Sequence, residues 1–221
     1  MQQKLLLIFL TISIVFTKNK YPELKISIEE KFPPVGWKIV GSCSADFNND
    51  KIDDKAYVIQ ENKETVSKDE KKLGREPFYR KELIIKFGLN GGGYKTNLKT
   101  SKVFGEWNWG IQGTNPFDKI GRRKNTLKLS FSTGGTLRSS FSYYFRYQDG
   151  DWFLIGYDEV TYQVPYQDKY FKEINYLTGM KKSYEVVNGK SSQPKILNLG
   201  KSRLLKLSEI DASKDNSTGE E

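Results

Sequence analysis

Histidine is missing from this chain of 221 residues. Because histidine is the usual general base and a common zinc ligand, its absence excludes serine and cysteine hydrolase triads and histidine-bearing zinc sites. Mechanisms that need only carboxylates stay open. The acids that could face a cleft lie at or near predicted turns: Asp149, Asp151, Asp158 and Glu159.

Cysteine is almost as scarce, since Cys43 is the only one. No intramolecular disulfide can form, so a folded exported domain must depend on its hydrophobic core. No small-residue lipobox precedes Cys43, which argues against a lipidated N-terminal residue. Without a histidine to deprotonate the thiol, we expect Cys43 to be a buried apolar residue.

Long hydrophobic runs are limited to residues 5–16, which follow Lys4 and precede a polar shift at Lys18. A membrane-spanning helix needs roughly 20 apolar residues, so this run is short for one. Residues 1–17 therefore read as a secretory signal peptide cleaved after Thr17, with an uncleaved anchor as the alternative. We expect a protein exported to the periplasm or the cell exterior.

Acidic residues are fewer than basic ones: the chain has 27 Asp and Glu against 36 Lys and Arg. Removal of residues 1–17 takes away one lysine and no acid, so the net charge falls from +9 to +8. The densest basic cluster, Arg122, Arg123 and Lys124, lies in a predicted turn. No nucleic-acid-binding motif accompanies it, so we expect a solvated surface and no nucleic-acid partner. A nucleotide-binding glycine motif is also missing.

What is present is a series of short apolar runs separated by turn sequences such as Asn-Gly and Asp-Gly. This pattern predicts a mainly β, antiparallel meander or sandwich-like domain over residues 18–207, with a short amphipathic helix at residues 21–32 and a disordered polar tail at 208–221. Residues 115–118 are predicted as a turn. We predict strands over residues 37–45, 55–60, 80–89, 94–104, 126–132, 137–147, 152–162, 171–177, 183–187 and 195–199.

The stretch from Ala45 to Val58 combines oxygen-rich side chains with an apolar strand. Its spacing, DxNxDxxxD, can bring together the side chains of Asp46, Asn48, Asp50 and Asp54 and the carbonyl of Ile52. Oxygen ligands of this kind suit a hard cation such as calcium. An EF-hand is excluded because Tyr57 holds the position of its bidentate glutamate. The alternative is that these residues form Asx turns without an ion.

The spacing resembles the calcium loops of FG-GAP and VCBS-type repeats, DxDxDGxxD, in which a short acidic loop leads into a β-strand. The resemblance implies the same ligand set: Asp46, Asn48, Asp50 and Asp54 by side chain and Ile52 by carbonyl. Lys51 stands where those repeats have glycine, which costs about 1 kcal/mol if the backbone is left-handed. Only one copy is present, so the chain is not a propeller of such repeats.

The order of motifs also resembles a group of exported bacterial proteins. The shared segments are PxGW at residues 34–37, DFNND at 46–50, NPFD at 115–118, YxFRYQ from Tyr143 or Tyr144 through Gln148, WxLIG at 152–156 and NYLTG at 175–179. This resemblance supports a single domain and implies no activity.

Trp107 and Trp109 lie in a glycine-flanked segment that could form a sugar-stacking platform or fill one end of a β core. Taken together, the sequence favours an exported, monomeric, non-catalytic binding or accessory domain with a calcium-type structural loop. Its expected partner is a cell-envelope protein or glycan. Two alternatives remain: a carboxylate-dependent polysaccharide hydrolase and a periplasmic inhibitor or immunity protein.

Overall fold

A computed structural model describes residues 32–63, 79–105, 116–165 and 168–214. All of these except Phe32 belong to one compact unit, Pro33–Glu221. The predicted signal peptide lies outside the described residues, as do Trp107 and Trp109 and the predicted N-terminal helix apart from Phe32. Within the described residues, no helix is long and apolar enough to cross a membrane.

The described chain is mainly antiparallel β-structure, which confirms the predicted fold class. The strands of sheet A are β1 (Trp37–Ala45), β2 (Asp54–Glu61), β3 (Lys81–Gly88) and β4 (Tyr94–Thr100). Those of sheet B are β5 (Phe117–Arg123), β6 (Thr126–Gly134), β7 (Leu137–Gln148), β8 (Asp151–Gln163), β9 (Lys169–Asn175), β10 (Met180–Val187), β11 (Lys190–Ser191) and β12 (Lys195–Asn198). Sheet A follows the order β1-β2-β3-β4 and sheet B the order β5 to β11, with β12 pairing to β10.

The two sheets share one hydrophobic core. Sheet A contributes the alternating side chains of β2 and β3, and sheet B contributes an aromatic-rich face of β6, β7 and β8. Alternation places every second residue on the same face, which explains why these runs bury one side. The core residues from the two sheets include Ala56, Val58, Leu83, Ile85, Leu127, Leu129, Phe131, Phe141, Tyr143, Phe145, Trp152 and Leu154.

Trp152 links the two sheets directly. Its ring lies 5.5 Å from the ring of Phe47, and its indole Nε1 donates a hydrogen bond to Oδ1 of Asn97 on β4 at 2.8 Å. Only 1% of Trp152 is exposed, so the pairing of its polar nitrogen with Asn97 matters for the stability of the core.

The sheets also approach each other along β1 and β5. A Cβ added to Gly41 on β1 would lie 2.8 Å from Cγ2 of Ile120 on β5, so the absence of a side chain permits this contact. Nearby, Sγ of Cys43 donates to the carbonyl of Gly121 at 3.4 Å. Burial raises the pKa of Cys43 to about 11, opposed by the positive charge of Arg122, so the thiol stays protonated at neutral pH. Cys43 packs against the core as a partly buried residue.

Two sequence predictions are corrected at this level. The predicted turn at residues 115–118 overlaps β5, which begins at Phe117 and continues through Arg122 and Arg123. The predicted strand at 94–104 ends at Thr100 and is followed by a 3₁₀ turn, Lys102–Phe104.

The predicted boundary of the tail also lies too early. A second 3₁₀ turn spans Leu207–Glu209, and three side chains in this region are buried in the core: Leu207, Ile210 and Ala212. The amide of Ala212 donates to the carbonyl of Val103 at 3.2 Å. The folded unit therefore includes residues to at least Ala212.

Candidate functional site

The acidic loop connects β1 to β2 and is organised by Asp46 at its start. Oδ1 of Asp46 accepts the backbone N–H of Asp50 at 3.0 Å, and Oδ2 accepts that of Lys51 at 2.9 Å. One carboxylate thus fixes the far side of the loop. This brings the segment around residue 50 back toward the end of β1.

Asn48 and Asp50 extend the same network. Oδ1 of Asn48 accepts the N–H of Asp50 at 3.0 Å, and its Nδ2 donates to Oδ2 of Asp50 at 2.8 Å. Oδ1 of Asp50 accepts the N–H of Ile52 at 2.8 Å. The side-chain oxygens of Asp46 and Asn48 therefore share one amide as a partner, and these bonds include the turns that the Asx alternative predicts.

Asp54, the fourth predicted side-chain ligand, opens β2 and is fully buried. Its carboxylate accepts the N–H of Phe47 at 2.8 Å and that of Gly88 on β3 at 3.0 Å. Burial raises the pKa of Asp54, and the negative charge of Asp50 adds to that effect, while hydrogen bonds from the backbone of Gly88, Phe47 and Asn48 oppose it. Asp54 therefore connects the loop to β3 through a buried hydrogen bond.

Gly88 allows the loop to lie directly on the end of β3. A Cβ at this position would fall 2.5 Å from Cγ2 of Ile52 and 2.7 Å from the carbonyl oxygen of Asp53. Because one neighbour is backbone, the clash could not be relieved by rotating a side chain. The close approach fixes Ile52, whose carbonyl was the predicted fifth ligand.

Two residues of the loop have left-handed backbone, Asn49 with φ 63° and Lys51 with φ 71°. Asparagine tolerates this region, whereas a lysine is strained there by its Cβ. The side chain of Asn49 accepts a hydrogen bond from Nδ2 of Asn125, in the turn between β5 and β6, at 2.9 Å. The loop is therefore attached to sheet B as well as to sheet A.

A cavity of about 500 Å³ lies beside the hydrogen bond between Asn49 and Asn125 and is lined by the loop and by residues of β5 and the β5–β6 turn. Its wall carries acids from the loop and two cations from sheet B, Arg122 and Lys124. The mixture of charge keeps the loop from presenting a purely acidic surface to solvent.

The structure thus brings Asp46, Asn48 and Asp50 together and turns Asp54 toward backbone amides. No group of three or more Asp, Glu, Cys or His side chains forms a metal cluster in the described part of the chain. A cation at this loop would need the amide oxygen of Asn48 and a backbone carbonyl beside the carboxylates. Such mixed oxygen ligands are usual for calcium.

The hydrogen bonds of the loop leave acceptor capacity for an ion. An ionised carboxylate offers about four lone-pair positions. The bonds described above use two positions on Asp46 and two on Asp50. Both carboxylates therefore keep acceptor positions that a hard cation could use, and the backbone bonds would hold these side chains in place.

The four acids that could face a cleft lie in and beside β8, and only Asp158 and Glu159 line a common groove. Asp149 lies in the β7–β8 turn with φ 51°. Asp151 lies 2.8 Å from Nζ of Lys206, and its hydrogen bond with Lys206 lowers the pKa of Asp151. Glu159 lies 2.7 Å from Nζ of Lys172 on the neighbouring strand. Asp158 lies 3.8 Å from Nζ of Lys128.

Asp158 has a partner that the sequence did not reveal, Glu173. The two residues are directly opposite in the β8–β9 register, and both line a groove on sheet B. Asp158 also accepts a hydrogen bond from the hydroxyl of Tyr144. The sequence could not predict this pair, because the register of β8 against β9 depends on the conformation of the loop between them.

Comparisons with protein-family models, with curated proteins and with solved structures found no match.

Proposed function

We propose that this chain is an exported, non-catalytic binding or accessory domain in which the loop between β1 and β2 holds a calcium ion. The observation that carries the proposal is the loop itself, where three oxygen-bearing side chains at DxNxD spacing are fixed by its own backbone amides. Residues 1–17 support export, because they have the pattern of a secretory signal peptide. The expected partner is a protein or glycan of the cell envelope.

The ion has a structural role in this proposal. The loop is bonded to β3 through Asp54 and to the β5–β6 turn through Asn49. An ion that binds only the folded chain stabilises it by mass action, by about 2.7 kcal/mol at a free concentration 100 times its dissociation constant. Stabilising this junction would support both sheets, since the loop touches each of them.

Thermal unfolding with and without millimolar calcium tests the proposal. We expect calcium to raise the midpoint of the native chain by roughly 5–10 °C, since 1 kcal/mol shifts a domain of this size by about 2–4 °C. Asp50→Asn keeps an oxygen that can accept the Ile52 amide but loses the charge, whereas Asp50→Ala loses both. We expect a reduced calcium shift in Asp50→Asn and no shift in Asp50→Ala.

Magnesium is the control metal, because Mg²⁺ is smaller than Ca²⁺ and demands near-ideal octahedral geometry. Equal midpoints with and without calcium for the native chain would leave the Asx-turn alternative as the explanation of the loop.

A second candidate function is a carboxylate-dependent hydrolase of polysaccharides. It is favoured by the pairing of Asp158 and Glu173 across adjacent strands in a groove. Glycosidases use two such carboxylates on either side of the scissile bond. Release of shorter oligosaccharides by the native chain, lost in Asp158→Asn, is the result that would establish this function.

A further inference from the structure

The outer face of sheet B carries a groove of about 910 Å³. This volume lies in the range of ligand-binding pockets, roughly 300–1,000 Å³. The floor is formed by β7, β8, β9 and β10, and the β5–β6 turn closes one side. The groove is separate from the core, which lies on the opposite face of the same strands.

The strand register arranges the floor in rows. In the central row Asp158, Glu173 and Lys182 occupy opposing positions on β8, β9 and β10. One flanking row places Tyr144 opposite Gly156, and the other places Phe171 opposite Tyr184. All of these residues line the groove, so register and cavity define the same surface.

The charges of the central row destabilise the pairing of β8 with β9 when no ligand is bound. Like charges directly opposite each other on neighbouring strands destabilise the pairing, and Asp158 and Glu173 are such a pair. Lys128 lies 3.8 Å from Asp158 and Lys182 lies 3.5 Å from Glu173, and these side chains are 30–49% exposed. Ion pairs this exposed contribute little to stability. The two carboxylates remain accessible to a ligand.

Aromatic rings flank this polar row on both sides. Phe171 and Tyr184 stack with centroids 4.8 Å apart and planes 5° from parallel. On the other side, a Cβ added to Gly156 would come within 3.6 Å of Tyr144, so the missing side chain keeps the groove open beside that ring. The hydroxyl of Tyr144 donates to Asp158, which fixes the position of the ring.

The charge of the groove is balanced, unlike that of the chain. Its lining holds three cations, Arg123, Lys124 and Lys182, and three carboxylates, Asp158, Glu159 and Glu173, within a protein of net charge +9. Each carboxylate of the lining has a lysine within 4 Å: Lys128 beside Asp158, Lys172 beside Glu159 and Lys182 beside Glu173. Carboxylates next to ammonium groups offer hydrogen-bond acceptors and donors together, which suits a neutral ligand that carries both.

We propose that this groove binds a neutral oligosaccharide. Ring hydroxyls donate to Asp158 and Glu173 and accept from Lys182, while the apolar faces of the pyranose rings lie against Tyr144 and Phe171. The site deepens the proposed function, because it selects a glycan as the partner, but it uses no residue of the acidic loop.

Titration calorimetry with defined oligosaccharides tests the inference. The neutral probes are chitotetraose, cellotetraose and maltotetraose; the charged probes are trigalacturonic acid and the fully deacetylated chitotetraose. We expect at least one neutral probe to bind the full chain. Both charged probes should bind it at least about tenfold more weakly, which corresponds to a difference of about 1.4 kcal/mol in binding free energy.

Two variants identify the site. Glu173→Gln removes the charge of an exposed side chain, and Tyr144→Leu removes the aromatic ring that the proposal places against a pyranose ring. Each should weaken binding of the neutral probe about tenfold or more, because the first weakens a charge-assisted hydrogen bond to a ring hydroxyl and the second removes the stacking surface. Glu185→Gln is the matched control, since Glu185 is an exposed glutamate of β10 that does not line the groove. It should leave the affinity unchanged, and a melting curve of each variant verifies its fold.

The outcomes separate this inference from the proposed function. Binding of an intact neutral probe that is weakened by Glu173→Gln supports both. Binding followed by shortening of the probe supports the groove and contradicts a non-catalytic role. Absence of binding by all three neutral probes, or equal loss of affinity in Glu185→Gln, overturns the groove inference and leaves the calcium test of the loop unaffected.

Discussion

Lys81 is a buried cation at the start of β3. Only 5% of the residue is exposed, and its Nζ lies 3.4 Å from the carbonyl oxygen of Tyr79. Burial lowers the pKa of Lys81 from 10.5 to about 8, and the positive charge of Lys38 adds to the effect. Between these two pH values the unfolded chain holds more protons than the folded chain. The free energy of unfolding should therefore rise with pH across this interval.

Replacement of Lys81 by methionine removes this penalty. We expect Lys81→Met to unfold with a higher free energy at pH 7, by up to about 3 kcal/mol, and the advantage to shrink toward pH 10. Urea denaturation of both proteins at the two pH values measures the difference. The exposed Lys95→Met controls for the loss of one charge. If the free energies of unfolding of Lys81→Met and the native chain differ by the same amount at both pH values, the result would contradict the burial of an ionisable amine.

At the scale of the element, the acidic loop contains a strained residue at Lys51. Its φ of 71° is the conformation that the resemblance to FG-GAP and VCBS loops assigns to glycine. We expect Lys51→Gly to raise the free energy of unfolding by roughly 1 kcal/mol over Lys51→Gln, which keeps the Cβ. Urea denaturation without calcium measures this backbone effect.

The same pair of variants separates charge from conformation in calcium binding. Both variants remove a cation beside the proposed site, so both should bind calcium a few-fold more tightly than the native chain at low salt. The gain should decline as salt is added. An affinity below that of the native chain in both variants would place the ion elsewhere.

The elements also show what the sequence could and could not predict. β1 has the bounds that the sequence predicted, because its flanking turns are marked by Gly36 and the acidic loop. β5 was missed because a bulge between Phe117 and Lys119 puts Phe117 and Ile120 on the core side at a spacing of three. That spacing breaks the alternation on which strand prediction depends.

The two candidate sites also differ in how far the sequence could predict them. The meeting of Asp46, Asn48 and Asp50 was predictable because these residues are close in sequence. Asp54 was expected beside them, but it opens β2 and accepts backbone amides of Phe47 and Gly88. The groove was not predictable, because Asp158 and Glu173 are brought together only by the register of β8 and β9. The start of the tail was misjudged for a related reason: residues 208–221 are polar on average, but Ile210 and Ala212 place their side chains in the core.

At the scale of the whole molecule, the loop lies where the two sheets are joined. Asp54 bonds to Gly88 in sheet A, and Asn49 bonds to Asn125 beside sheet B. Phe47, which follows Asp46, is fully buried and contacts Trp152 in the shared core. Because the loop is anchored at all three points, an ion held there should act on global unfolding rather than on the loop alone.

The most direct measurement is a calorimetric titration of the full chain, freed of metal by a chelator, with calcium. We predict one calcium ion bound per chain, weaker binding of magnesium, and loss of calcium binding in Asp50→Ala while that variant stays folded. No calcium binding to the native chain at millimolar concentration, or unchanged binding in Asp50→Ala, would contradict the proposal that this loop is a calcium site.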